Sequence, residues 1–536
     1  NEEVVMVKSG DDGRSTRRQF VGAAGGFGAA ALTGLALEAC GGTSRSQGTS
    51  TASTASGASA AHPKKGGTLN EARYEAIDGF KLDSITANTT YQACQAVMEP
   101  LVRVNPNGHA YLPGLAESWS TDPTGKVWTF TLAPNVRFSD GSPCTSKDVE
   151  FSVDTWKAGP NNGGYYTLIK DVQIIDNRTF KLHLSVPDFN LTSPLSMAIA
   201  GVIPENFHGM SANQFWLTPI GAGPFKLGSW SISGPINYTR NPYYFRPGLP
   251  YLDAIVNTLT TNGNQSRLSF LSGALDVVDG VFGPEAPGYP PERILWEPVH
   301  FTDVLLFNTK AAPFDKLAAR QAAAYAIDYP GIIRGVYKGR GAPPAGWLPP
   351  NVGVWAPPSK PYFHQNLSLA RSLAKSSGLA GQALTLRYPP EEETFVEDAA
   401  FVQANLKAIG VDVTLTPEAT PTFLGNVTTG KYQLAIWGYN ASAPDMGNNV
   451  QFITTTNTFF TGYPPSQLNA MLAAFYATPS TTKQRAIVQQ MQNFGSANVP
   501  FVALDNTQYG TAISANTHGV QPTPWGYYYY DSIWKS

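Results

Sequence analysis

Three cysteines in 536 residues, Cys40, Cys94 and Cys144, are too few and too far apart for a disulfide framework or a Cys/His zinc cluster. Charge of one sign is also missing: 37 Lys and Arg stand against 39 Asp and Glu, and charged residues are only 14%. Without a basic stripe there is no electrostatic footprint for nucleic acid, and that class is excluded. There is no Gly-x-Ser-x-Gly elbow, no Gly-x-Gly-x-x-Gly turn, no phosphate loop and no His-Glu-x-x-His helix. No cofactor is expected, and an enzyme is disfavoured. It is not excluded, because paired catalytic carboxylates are invisible to spacing arguments among 39 acidic residues. A long hydrophobic span is lacking too: the apolar run Val21 to Leu37 is about 17 residues, rich in Gly and Ala, against the roughly 20 a membrane helix needs.

That short run is informative for what flanks it. Thr16-Arg17-Arg18-Gln19-Phe20-Val21 opens it and Leu37-Glu38-Ala39-Cys40-Gly41-Gly42 closes it, which reads as a twin-arginine export signal over residues 1–39 ending at a lipoprotein cysteine, Cys40. Glu38 departs from the small neutral residue usual at its position. Residues 40–64 are mostly Ser, Thr, Ala and Gly, too poor in apolar surface to offset their ordering entropy, and read as a flexible tether. The expected location is the outer face of the cytoplasmic membrane. Cys94 and Cys144 could pair there or remain two buried thiols.

From residue 65 onward the chain is too long for one core, so at least two domains are expected. Alternating apolar residues mark strands at Trp128, Phe130 and Leu132 and at Phe180, Leu182, Leu184 and Val186, with His183 on the polar face. Helical spacing joins Val149, Val153 and Trp156 behind a Thr145-to-Asp148 capping box. It recurs at Val402, Leu406 and Ile409, where Gly410 stops the helix before the alternating Val411, Val413 and Leu415. Interleaved helices and strands make the class α/β. Aromatic content of 12%, with 11 Trp and 24 Tyr, suits either a ligand cleft or an aromatic-rich core.

Several segments, in order, carry a resemblance. They are Val97-Met98-Glu99-Pro100-Leu101-Val102, Pro113-Gly114-Leu115-Ala116-Glu117-Ser118-Trp119, Val136-Arg137-Phe138-Ser139-Asp140-Gly141-Ser142-Pro143, Gly221-Ala222-Gly223-Pro224-Phe225, Phe307-Asn308-Thr309, Arg320-Gln321-Ala322 and Leu406-Lys407-Ala408-Ile409-Gly410-Val411. This order resembles the family 5 extracellular solute-binding proteins of ABC importers. The resemblance implies a two-lobed periplasmic binding protein fold of type II that closes on its ligand by hinge motion, works as a monomer and hands cargo to permease and ATPase subunits. It implies a first lobe over 65–303, a second over 304–500 and a return to the first over 501–536.

The resemblance also places the ligand cleft. The loop Glu75-Ala76-Ile77-Asp78 and Tyr91 match the family's ligand-facing opening, so Ala76, Asp78 and Tyr91 are candidates. In the second lobe, Trp437 and Tyr439 offer stacking surface, and Asn440 stands where dipeptide and oligopeptide binders carry an ammonium-holding aspartate; Asp445 could substitute from a shifted position. Where dipeptide binders hold a carboxylate with arginine, this chain has Glu391, Glu392 and Glu393. These three attract a cation if they face the cleft, and otherwise form a solvated helix start favoured by the dipole. Asn308 is expected to be structural. The departures point to a solute without a free carboxylate: a neutral oligosaccharide, a longer peptide held by its backbone, or a cationic or aromatic compound. The alternative class is an exported hydrolase or redox enzyme.

Overall fold

The run Val304-Leu305-Leu306-Phe307 is apolar at every position, which suits a strand covered on both faces rather than one. In the structure, a computed structural model describing residues 62–85, 88–106, 110–160, 162–297, 301–350, 353–440, 466–523 and 526–536, it forms the middle of the strand Phe301–Phe307. Leu305 and Phe307 point into one core with the helices Leu317–Ala326 and Glu393–Lys407, and Val304 and Leu306 into another with Thr481–Asn498. Around it lies a sheet whose main order is 341–342, 506–507, 301–307, 434–440, 383–388 and 412–417, with 501–503 also paired to 301–307.

A second large sheet has the order 294–296, 510–513, 277–281, 68–73, 254–259, 236–240 and 225–227. Thr68–Arg73 pairs in parallel with both Ala254–Leu259 and Val277–Val281. Both ends of the described chain meet here: Gly510–Ile513 lies between Val277–Val281 and Ile294–Trp296, and Tyr528 and Tyr530 donate their hydroxyls to the buried Glu71. Beside it, four antiparallel strands, 116–121, 127–132, 179–184 and 169–174, carry their own core under the helix Ser146–Lys157. The two-lobed α/β architecture is therefore built on two separate sheets.

The chain changes sheet between Trp296 and Phe301 and again between Thr507 and Gly510. The expected boundaries at 304 and 501 fall inside the second sheet. The cause is pairing: buried backbone must find hydrogen-bond partners, and Phe501–Ala503 finds them antiparallel to Val304–Leu306 before the chain leaves.

Local patterns hold well. Strands Val127–Leu132 and Thr179–Leu184 bury alternate residues, and His183 pairs with Asp171 on the exposed face. Val186 lies beyond its strand and is exposed. Thr145 and Asp148 make the reciprocal capping box. Gly410 turns with φ +81° before the strand Asp412–Pro417. Cys94 and Cys144 are free thiols buried in different cores, and burial pushes both well above the ordinary thiol range. Asn308 is structural as expected: its side-chain amide donates to the carbonyls of Gly430 and Tyr432. No helix among the described residues is long and apolar enough to cross a membrane.

Candidate binding cleft

A cavity of about 950 Å³ is walled by segments from both sheets. From the first come Tyr74, Glu75 and Ala76 after the strand Thr68–Arg73, the start of the helix Gly263–Leu271 with Arg267, and Asp279 to Glu285. From the second comes Glu391 to Thr394 at the start of the helix Glu393–Lys407.

Local sequence explains the wall. Val277-Val278-Asp279-Gly280-Val281 reads as a strand interrupted by an acid and a glycine, and pairing with Gly510–Ile513 shifts register between Asp279 and Val281. Gly280 takes φ +83°, and any side chain there would run into the Tyr74 ring. Tyr74 packs edge-on to Phe282 at 5.5 Å and to Tyr509 at 6.0 Å between ring centres. Tyr509, on the return connection, donates to Asp279 Oδ1 at 2.8 Å.

Acidic side chains dominate. Glu75, Asp279, Glu285, Glu391, Glu392 and Glu393 line the cavity against the single guanidinium of Arg267. Burial raises the Asp279 carboxyl well above its ordinary range, with the charges of Glu71 and Glu75 adding and the Tyr509 bond opposing. Desolvation also raises Glu285, and the charge of Glu393 from the other lobe adds to it. Glu392, whose side chain reaches solvent, is raised by desolvation and by Glu391. Carboxylates that push each other towards protonation are stabilised by any cation placed among them.

The two readings of the glutamate run turn out to be compatible. Glu392 is the N-cap residue and Glu393 lies in the first turn, without a side-chain cap bond, and all three line the cavity. Ala76 and its neighbour Glu75 also line it. Asp78 is exposed just beyond, with its backbone N–H donating to Thr90. Tyr91 is 6% exposed in the core, stacked on Tyr527 at 5.6 Å, and is not part of the cavity wall. Trp437 lies between cores, stacked on Phe423 at 5.3 Å and tilted against Phe395 at 5.9 Å. Tyr439 and Asn440 pair through their backbones with Thr302 and Phe301; their side chains, together with Asp445 and Cys40, lie outside the described residues. Trp347 is core. Sequence reasoning missed Asp279, Glu285 and Arg267; the acid-glycine break in the strand at 277–281 was the available signal.

The profile for bacterial extracellular solute-binding proteins, family 5, matches residues 110–461. Among curated relatives, the probable D,D-dipeptide-binding periplasmic protein DdpA of Escherichia coli K12 is 25% identical over 76% of this chain and 81% of its own. The oligopeptide-binding protein OppA of Bacillus subtilis 168 is 24% identical over 79% and 83%. Among solved structures, the PBP AgaA of A. tumefaciens R10 in complex with agropinic acid superposes with TM-score 0.78 at 23% identity, covering 88% of this chain and 99% of that one. A dipeptide-binding protein of Pseudoalteromonas sp. SM9913 with Met-Leu gives 0.79 at 20% identity, covering 88% and 100%. These relatives are binding proteins rather than enzymes, and the chain belongs to the bacterial extracellular solute-binding proteins of family 5.

Proposed function

We propose that this protein is the extracytoplasmic receptor of an ABC importer and that its cargo is a peptide or peptide-like solute recognised through a cationic group. One observation carries the cargo class: six carboxylates contributed by both lobes surround a cavity of about 950 Å³ that contains one guanidinium. A cavity of this size suits a small solute or short peptide. Closing the lobes brings the carboxylates of Glu285 and Glu393 together, and a cation between them relieves their repulsion and favours the closed state. The solute is then released unchanged to the permease, with the ATPase driving transport. The relatives named for dipeptides and oligopeptides support this reading over an exported hydrolase or redox enzyme. Tyr439, Asn440 and Asp445 are proposed as further contacts, since the strand Leu434–Asn440 ends opposite Phe301, whose ring stacks on Tyr509 at 6.5 Å. Trp437, Tyr91 and Asp78 are assigned supporting roles around the cleft. Twin-arginine export, a lipid on Cys40 and the tether over 40–64 hold the monomer beside its permease.

The test is calorimetric titration with trilysine, trialanine and triglutamate at pH 5 and pH 7.5. Because the carboxyl pKa values are raised, the cleft carries more negative charge at pH 7.5 than at pH 5, while lysine stays cationic at both. Trilysine is expected to bind about tenfold tighter at the higher pH. Glu391, Glu392 and Glu393 all changed to Gln should remove most of that dependence. Preference for triglutamate, or an affinity for trilysine that falls with pH, rejects the cargo class.

A further inference from the structure

Below the cleft floor lies a second group of carboxylates that solute capture does not use. Asp303, Asp398 and Asp505 come from three segments: the strand Phe301–Phe307, the helix Glu393–Lys407 and the link between Phe501–Ala503 and Asn506–Thr507. They are 4%, 0% and 0% exposed, and one oxygen of each lies within 4.8 Å of the others. Among the described residues none of them pairs with a lysine or arginine.

Their hydrogen bonds leave one buried oxygen without a donor. The Tyr337 hydroxyl lies 2.5 Å from Asp303 Oδ2 and 3.0 Å from Asp398 Oδ2, but a phenol has one proton and can fully serve only one of the two. Asp505 receives long bonds from the Asp303 backbone N–H, at 3.3 and 3.4 Å, and side-chain bonds from Tyr337 and Thr507. The Asp398 carboxyl shares a side-chain bond with that of Asp303, yet its Oδ1 is fully buried and accepts from no N–H or O–H donor. Burying carboxylates without compensation costs several kcal/mol per ion.

We propose that Asp303, Asp398 and Asp505, with the Tyr337 hydroxyl, form a site for a hard divalent cation of the calcium type. Calcium takes oxygen ligands at roughly 2.3–2.6 Å, so two oxygens of one shell are at most about 5 Å apart, and the 4.8 Å limit fits three vertices of such a shell. The donorless oxygen of Asp398 gains a ligand, and the excess negative charge gains its counter-ion. Access is short: Thr394 lines the cleft and its hydroxyl reaches Asp303, so an ion drawn into the acidic cleft is one residue from the site. Binding there ties together the strand that follows one inter-lobe connection, the link that precedes the other, and the helix whose first turn carries Glu393.

The experiment is calorimetric titration of the EDTA-stripped full chain with CaCl2 and MnCl2, on the wild type, Asp398→Asn, Asp505→Asn and the triple Gln variant at Glu391, Glu392 and Glu393, each checked for folding by near-ultraviolet circular dichroism. One saturable site is expected in the wild type, weakened at least tenfold by Asp398→Asn or Asp505→Asn and kept in the triple variant. Two variants are used so that a folding failure in either leaves the other decisive. No uptake by the wild type at millimolar cation overturns the proposal, because protons alone would then hold the three carboxylates. Undiminished uptake in the folded Asn variants overturns it as well, as does uptake lost only in the triple variant, which would place the ion in the cleft.

Discussion

Replacing Gly280 by alanine tests how a single backbone position shapes the cleft. The residue has φ +83°, and a methyl group there meets the ring of Tyr74. Left-handed backbone costs alanine about 1–2 kcal/mol. Moving the ring forfeits its edge contacts with Phe282 and Tyr509, each about 0.5–1.5 kcal/mol, so the total is about 2–5 kcal/mol. At roughly 2 cal/mol/K per residue, the unit Ala61–Ser536 melts with an entropy near 1 kcal/mol/K, and Tm should fall by about 2–5 °C. A double-mutant cycle isolates the clash: in a Tyr74→Ala background only the backbone cost remains, leaving a coupling of about 1–3 kcal/mol. Differential scanning calorimetry of the four proteins gives this number. A full loss in the Tyr74→Ala background, or no loss in the wild type, refutes the account of the wall.

Two further outcomes concern buried charge. Glu297 is 1% exposed, and burial first, then Asp279, raises its carboxyl well above the ordinary range. The sign follows: a raised pKa contributes stability below the unfolded value near 4.3 that is lost as pH rises. Glu297→Gln should therefore match the wild type at pH 4 and exceed it by about 1–3 kcal/mol at pH 8 in urea unfolding, and a less stable variant at pH 8 contradicts this. Arg103 lies between Glu99 at 2.6 Å and Asp531 at 2.9 Å, and holds the Asp531 carboxyl below its ordinary range although burial alone would raise it. Arg103→Met should cost about 3–5 kcal/mol at pH 7 by leaving buried carboxylates unpaired. A lowered pKa contributes stability present above the unfolded value and lost in acid, so the gap between variant and wild type should narrow towards pH 3; an unchanged gap refutes the pairing.

By itself the sequence determined what depends on neighbours along the chain. The alternation at Trp128, Phe130 and Leu132, the capping box at Thr145 and the stop at Gly410 were legible because strand and helix periods and turn conformations are set within a few residues. The order of its motifs gave the family and the two-lobed fold. Tertiary structure alone decided where the chain crosses between lobes, because Phe501–Ala503 could show its lobe only by pairing with Val304–Leu306 some 200 positions earlier. It also decided which aromatic rings are core, placing Tyr91 on Tyr527 and Trp437 on Phe423. The cleft and the aspartate group below it belong to the same class of fact. Glu75, Asp279, Glu285 and Glu393 are ordinary acids in sequence, and their shared chemistry arises only when folding removes water from between segments hundreds of residues apart and makes each charge feel the others.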